Sequence, residues 1–206
     1  MGKVTAKTIR RQRVMNDFVQ AAREILDSQG LEGVSARKVA ERAGWSYATI
    51  YNYFSDINNL LWHCIPAYIA DINTLLLQEI QTEPRGNQQL IKSLKAYARY
   101  FLERPQLYRF MFLADIGPPP AELADKLSEP VLARGQEQIL TLCAQQGTIA
   151  QEDIPIIGEL ISCAVNGALY MQGTGKFPIS AEELEGRIEK YVQHILGERR
   201  TESEKR

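Results

Sequence analysis

The sequence has little of what secreted, metal-binding or catalytic chains carry. Its 206 residues include three cysteines, Cys64, Cys143 and Cys163, which lie far apart and form no C-x-x-C pair. An odd, scattered set supports neither a disulfide framework nor a zinc ribbon. It reads instead as small side chains on apolar helix faces in a reducing compartment. There are two histidines, His63 and His194. His63 and Cys64 make a poor metal pair, because adjacent residues on a helix point about 100° apart. The G-x-S-x-G, P-loop, H-E-x-x-H and G-x-G-x-x-G patterns are absent, so the expectation is no enzyme, no metal and no cofactor. No apolar segment follows Met1-Gly2-Lys3-Val4-Thr5-Ala6-Lys7. Nor is there a run of about 18 apolar residues, so neither a secretory leader nor a membrane span is expected, and the chain reads as cytoplasmic.

Net charge is also nearly absent, at −1, but it is unevenly distributed. Residues 1–54 carry nine Lys or Arg against five acids, while residues 55–206 carry 15 against 20. A basic small part joined to an acidic large part suggests that only the first meets a polyanion.

What the chain does have is helical periodicity. Residues 8–29 place Ile9, Val14, Phe18, Ala21, Ala22, Ile25 and Leu26 on one stripe that Gly30 stops. Ser35 can cap a helix over 36–43, Ser46 a short one over 47–53, and Asp56 a third. Longer helices are predicted at 57–81, 87–103, 105–115, 121–146, 152–172 and 181–196, separated by breaks that contain Gly or Pro. Pro66 falls inside the first of these, where it should kink or divide the helix and could act as a hinge. No strand alternation or repeat is evident, so the fold class is all-α. Three domains follow: a three-helix unit at 1–55, a larger helical body at 56–197 and a polar tail at 198–206.

Residues 33–54 describe two short helices around Gly44-Trp45, which is a helix-turn-helix. In such a unit the first helix braces and the second presents its N-terminal residues to the DNA major groove. Ala40 suits a close helix approach, and Val39 and Ile50 can fill the seam. Ser46, Tyr47, Thr49, Asn52 and Tyr53 are left available for phosphate and base-edge bonds. The same stretch resembles the TetR family of regulators. Gly33, Val34, Ser35, Val39, Ala40, Ala43, Gly44, Ser46, Ile50, Tyr51, Tyr53, Phe54 and Leu60 fit its signature at the expected spacing, and the likeness covers about residues 8–60.

The resemblance implies that double-stranded operator DNA is the partner. It implies that Ser35 and Arg37 touch phosphate or a base edge, that Tyr47 and Thr49 open the recognition helix, and that Tyr51 and Tyr53 hold phosphates. Lys3, Lys7, Arg10 and Arg11 would form a basic arm. Two positions depart from the family pattern. Ile57 stands where a Lys usually holds a phosphate, and Trp45 is bulkier than the usual Val or Met, so it could brace the turn or press on the DNA backbone.

The resemblance further implies that the remaining helices bind a small-molecule effector and form a homodimer, with repression as the family default. The stretch 96–112 resembles a subgroup bearing a later Trp…His-Gly pattern, but Ser162 and Asn166-Gly167 stand at those positions and only the glycine agrees. Trp62, Tyr97, Phe101, Tyr108, Met111, Phe112, Asn166 and Tyr170 are the candidate effector-binding residues, and their aromatic character suits a small apolar or aromatic ligand, with ordinary core packing as the alternative. Helices 152–172 and 181–196 are the dimer candidates. Gly158, Ala164, Gly167 and Ala168 allow close approach, while Ile157, Ile161, Leu184, Ile188 and Ile195 provide apolar area, a pattern that an intramolecular core would leave as well. The alternative is a helical interaction or scaffold protein that has lost DNA binding.

Overall fold

The computed structural model describes residues 5–80, 87–123, 127, 133–176 and 178–197. The remainder includes Lys3, the break at 83–86, most of 124–132 and the polar tail, and those expectations lie outside the described residues. In chain order the helices are α1 (Ala6–Gln29), α2 (Ala36–Arg42), α3 (Tyr47–Ile50), α4 (Ile57–Ile80), α5 (Asn87–Leu102), α6 (Pro105–Phe112), α7 (Ala133–Gln145), α8 (Ile154–Gly173) and α9 (Ala181–Gly197). Short 3-10 turns cover Leu31–Gly33, Ala121–Leu123 and Gln151–Asp153. The described residues contain no strand, and the fold is all-α.

The chain forms two compact units. One comprises residues 1–68 and 106–128, the other residues 69–105 and 129–206. Compactness therefore groups the first half of α4 and the α6 region with the helix-turn-helix, whereas the sequence motif alone suggested an edge near residue 55. In the first unit, Phe18 is fully buried and its ring meets those of Trp45, Tyr53 and Phe54 at 6.0–6.5 Å. Tyr68 of α4 fastens to α1. Its hydroxyl donates to Asp27 Oδ1 at 2.8 Å, and the Arg23 guanidinium lies 4.4 Å over its ring. Gly30 ends α1 at φ 70°, and a Cβ there would lie 2.5 Å from Gln106 Oε1. The left-handed backbone is what calls for glycine, since the Gln106 amide is the end of a flexible side chain and can move aside.

Several predicted boundaries shift. α3 ends at Ile50 rather than residue 53, because Asn52 and Tyr53 donate to the carbonyls of Thr49 and Ile50, bonds three residues long that tighten the chain into a turn. α6 ends at Phe112 rather than residue 115. Leu113 and Ala114 both donate to the Arg109 carbonyl, and Asp115 Oδ1 accepts from the Gly117 amide. Within 121–146, one helix was expected. A 3-10 turn at Ala121–Leu123 and α7 from Ala133 are described. Pro66 does not divide α4, which continues from Ile57 to Ile80. α4 and α8 are long and apolar enough to pass a membrane-span test by length and composition. That differs from the expectation drawn from uninterrupted apolar runs, because such helices tolerate scattered polar residues. The core side chains Leu60, Leu61, Cys64, Ile161 and Val165 on these helices are buried inside the protein.

The second unit packs α5, α7, α8 and α9 together. Ile157 and Ile161 of α8, and Leu184 and Ile188 of α9, are buried within it. They were expected to offer area to a partner. Instead they hold the unit together, because the apolar faces of neighbouring helices cover them.

Candidate nucleic-acid interface and effector residues

The turn of the helix-turn-helix is a backbone device. Trp45 N–H donates to Ala40 O at 2.9 Å, and Gly44 N–H to Glu41 O at 3.2 Å, with Gly44 at φ 73°. This is the Schellman closure, in which a left-handed glycine redirects the chain so that α3 leaves α2 at a fixed angle. Val39, Ala40 and Ile50 fill the seam at no more than 2% exposure. Ser35 caps α2, accepting from Lys38 N–H at 3.3 Å. Ser46 precedes α3 but does not cap its backbone. Its hydroxyl pairs with Thr49 Oγ1 at 2.7 Å instead.

The predicted DNA-facing residues gather on this surface. Ser35, Arg37, Ser46, Tyr47, Tyr51 and Asn52 are exposed, Trp45 is 37% exposed, and Thr49 and Tyr53 are half-buried. Tyr47 and Tyr51 form a pair, with hydroxyls 2.9 Å apart and rings edge-on at 5.3 Å. The shared hydrogen bond, first among several causes, pushes the Tyr51 phenol above its usual range. Lys7 and Arg11 are exposed on α1. Arg11 Nη1 donates to Asn52 O at 3.1 Å, and its guanidinium lies 4.9 Å over the Tyr53 ring. It therefore ties the basic arm to the end of the helix-turn-helix. Trp45 Nε1–H donates to Asp17 Oδ2 at 3.3 Å, so the indole braces the turn against α1.

The candidate effector residues divide between the two units. Trp62, Tyr108, Met111 and Phe112 belong to the first unit, and Tyr97, Phe101, Asn166 and Tyr170 to the second. Trp62 Nε1 is buried without a hydrogen-bond partner. Phe112 is exposed and stacks on Tyr108 at 4.9 Å. Tyr170 is 53% exposed on the outer face of α8. In the second unit, Tyr97 and Phe101 are buried with rings 5.0 Å apart.

Tyr97 also starts a polar chain whose two ends, Tyr97 and Gln136, are buried and whose middle, Asn166 and Ser162, is half-buried. Its hydroxyl donates to Asn166 Oδ1 at 2.9 Å, Asn166 Nδ2 to Ser162 O at 2.9 Å, and Ser162 Oγ to Gln136 Oε1 at 3.0 Å. Gln136 is 4% exposed, and its Nε2 has no partner. A buried donor left unmet costs about 1–3 kcal/mol. Sequence reasoning missed Gln136 and Ser162. The available signal was that Gln136 heads the apolar stripe Ile139, Leu140 and Cys143, a core position occupied by an amide. The buried Cys64 thiol, pushed up to about 12 by desolvation, is inert packing beside Leu60 O.

An all-helical chain with a helix-turn-helix near its N-terminus and a larger helical part behind it has the architecture of a one-component DNA-binding regulator. Residues 18–63 match the family model for bacterial regulatory proteins of the tetR family. No curated protein matches the chain. Solved structures do. The fatty acid degradation regulator FadR from Bacillus halodurans is 16% identical, covering 89% of this chain and 95% of its own, with a TM-score of 0.66. A transcriptional regulator FadR from Bacillus subtilis in complex with stearoyl-CoA is 17% identical, covering 88% and 97%, with a TM-score of 0.67. A TetR transcriptional regulator from Rhodococcus sp. RHA1 is 20% identical, covering 90% and 98%, with a TM-score of 0.59. At these identities the likeness shows a shared fold. The Trp…His-Gly subgroup finds no support among them.

Proposed function

We infer that the protein is a cytoplasmic transcriptional repressor that binds a palindromic operator as a homodimer and is released by a small apolar or aromatic effector. The observation that carries the DNA-binding part is the exposed set around α3. Tyr47, Tyr51 and Asn52 stand in solvent beside the Gly44 turn, in a segment whose charge is positive while the rest of the chain is negative. Exposed aromatics held in place by hydrogen bonds need a partner, and a basic surface selects an anionic one.

Homodimerisation rests on α8. Its outer face exposes Ile156, Leu160, Cys163, Gly167 and Tyr170, spaced by four, three, four and three residues, beside Met171. That is the heptad-like spacing with which one helix seats on another, and Gly167 lets backbones approach. Two recognition helices about 34–36 Å apart, one on each copy, would match a palindrome. Effector sensing draws support from the mixed aromatic and polar interior of the second unit. Further support comes from a neighbour of similar fold, the FadR from Bacillus subtilis, whose structure is a complex with stearoyl-CoA.

The test is a gel shift with duplex from the chain's own upstream DNA. A sequence-specific complex that weakens steeply with salt is expected. A helical scaffold would give none, and that result would remove the regulator reading.

A further inference from the structure

We propose that Gln136 is the polar anchor of the effector site, donating from Nε2 to an oxygen of an uncharged ligand with an apolar body. The inference rests on the effector-sensing reading above and adds to it the chemical class of the ligand. The hydrogen bonds from Tyr97 through Asn166 and Ser162 to Gln136 draw on α5, α8 and α7 and end on a donor with nothing to meet. Ser162 Oγ donates to Gln136 Oε1, and the NH2 group is left unused.

A water molecule fits a lone donor poorly, because buried waters make about three hydrogen bonds. An oxygen carried on an apolar molecule needs only that one bond, and the apolar remainder suits the surroundings. Ile139, Leu140 and Val165 are buried on the same two helices. Charge selects further. No ionised side chain belongs to the chain of hydrogen bonds, and the cations on the Tyr97 helix are already held, Lys92 by Glu79, Lys95 by Glu189 and Arg99 by Glu185. A carboxylate placed here would lose its water and gain no counter-charge. The ligand class is therefore neutral carbonyl compounds such as ketones, esters and amides.

The experiment uses the full chain and two probes of equal length, 2-octanone and octanoate, followed by calorimetry and by the side-chain amide signals of Gln136 in NMR. Saturable binding of the ketone, about tenfold weaker binding of octanoate, and movement of the Gln136 NH2 signals are expected. Gln136→Leu should weaken the ketone about tenfold while the melting temperature stays within about 3 °C of wild type or rises, because the lost amide was unsatisfied. If Gln136→Leu does not fold, Ser162→Ala serves instead. It frees the amide to rotate and should weaken the ketone a few-fold. The proposal is overturned if the ketone shows no saturable binding, if octanoate binds equally well, or if the variant that folds binds the ketone as wild type does. Operator affinity separates this from the broader reading. A ketone that binds through Gln136 without changing operator affinity leaves the site standing and removes the sensor. An effector that releases operator equally from wild type and Gln136→Leu does the reverse.

Discussion

The α3 surface and the polar chain that ends on Gln136 treat their side chains in opposite ways. Around α3 the hydroxyls of Ser46, Tyr47, Thr49 and Tyr51 bond to each other at the surface, so none depends on burial for its geometry. In the second unit, Tyr97, Asn166, Ser162 and Gln136 are linked through the interior, and the last of them is short of a partner. A surface pair can exchange one hydroxyl contact for a DNA oxygen at little cost, which suits a partner that comes and goes. A buried donor has no water to fall back on, so it discriminates strongly among the molecules that reach it. Reading DNA and sensing an effector would place those opposite demands on the two places.

The largest effects should come from the apolar groups that hold each arrangement in place. Phe18→Ala removes a fully buried ring that touches Trp45, Tyr53 and Phe54. It should cost about 3–5 kcal/mol in urea unfolding and loosen the α3 surface with it. A smaller loss would mean that this surface does not depend on the core beneath it. Next comes the contrast between two neighbours on α8. Ile161 is 1% exposed and Leu160 50% exposed. Glu at Ile161 should abolish folding, as an unpaired buried charge does. Glu at Leu160, with Ile156→Glu, should leave a folded protein that light scattering finds monomeric. A Leu160 and Ile156 double variant that stays dimeric would move the interface elsewhere. Smaller again is Thr49→Ala, which should weaken operator binding by about 1–3 kcal/mol in a gel shift with melting unchanged. Unchanged affinity would take Thr49 off the reading face.

What could be read from sequence differs between the units in the same way. Helix ends set by local chemistry were legible, because a cap or a left-handed glycine acts on its own neighbours. Gly30, Ser35, Gly44 and Asp56 do what their residue types suggest. Asp56 Oδ1 accepts from the Asn59 amide at 2.8 Å. Side chains that work through a tertiary partner were not legible. Nothing near Gln106 in sequence announces that it faces Gly30, and nothing near Ser162 announces Gln136. Periodicity marked α8 and α9 as apolar but could not tell the inner stripe from the outer one. Ile161 and Leu160 are adjacent and similar, and only packing separates them. α3 was expected to be longer because the turn at 51–53 keeps helical spacing while its hydrogen bonds shorten.

The smallest effect bears most directly on the surface half of the comparison. If Tyr47 and Tyr51 act as one unit, removing either hydroxyl should remove what the pair does. Their hydroxyls are 2.9 Å apart, and one of them must donate to the other, so the pair presents one free O–H rather than two. Tyr47→Phe and Tyr51→Phe should then each weaken operator binding slightly, and the double variant should be no worse than the weaker single variant to within about twofold, the non-additivity expected of residues in contact. The pH dependence gives an independent reading. The hydrogen bond with Tyr47, which holds the Tyr51 proton, is the first cause raising Tyr51 above its ordinary 10.0. A phenol with a raised value in the folded state is stabilised in its protonated form. The pair's contribution is therefore complete at neutral pH and is lost as pH rises through the folded-state midpoint above 10. In Tyr47→Phe the phenolate absorbance of Tyr51, assigned by difference from the double variant, should titrate at lower pH than in wild type. If Tyr51 titrates identically in both proteins, the hydroxyls are not paired in solution. The two tyrosines would then meet DNA as separate contacts with additive losses.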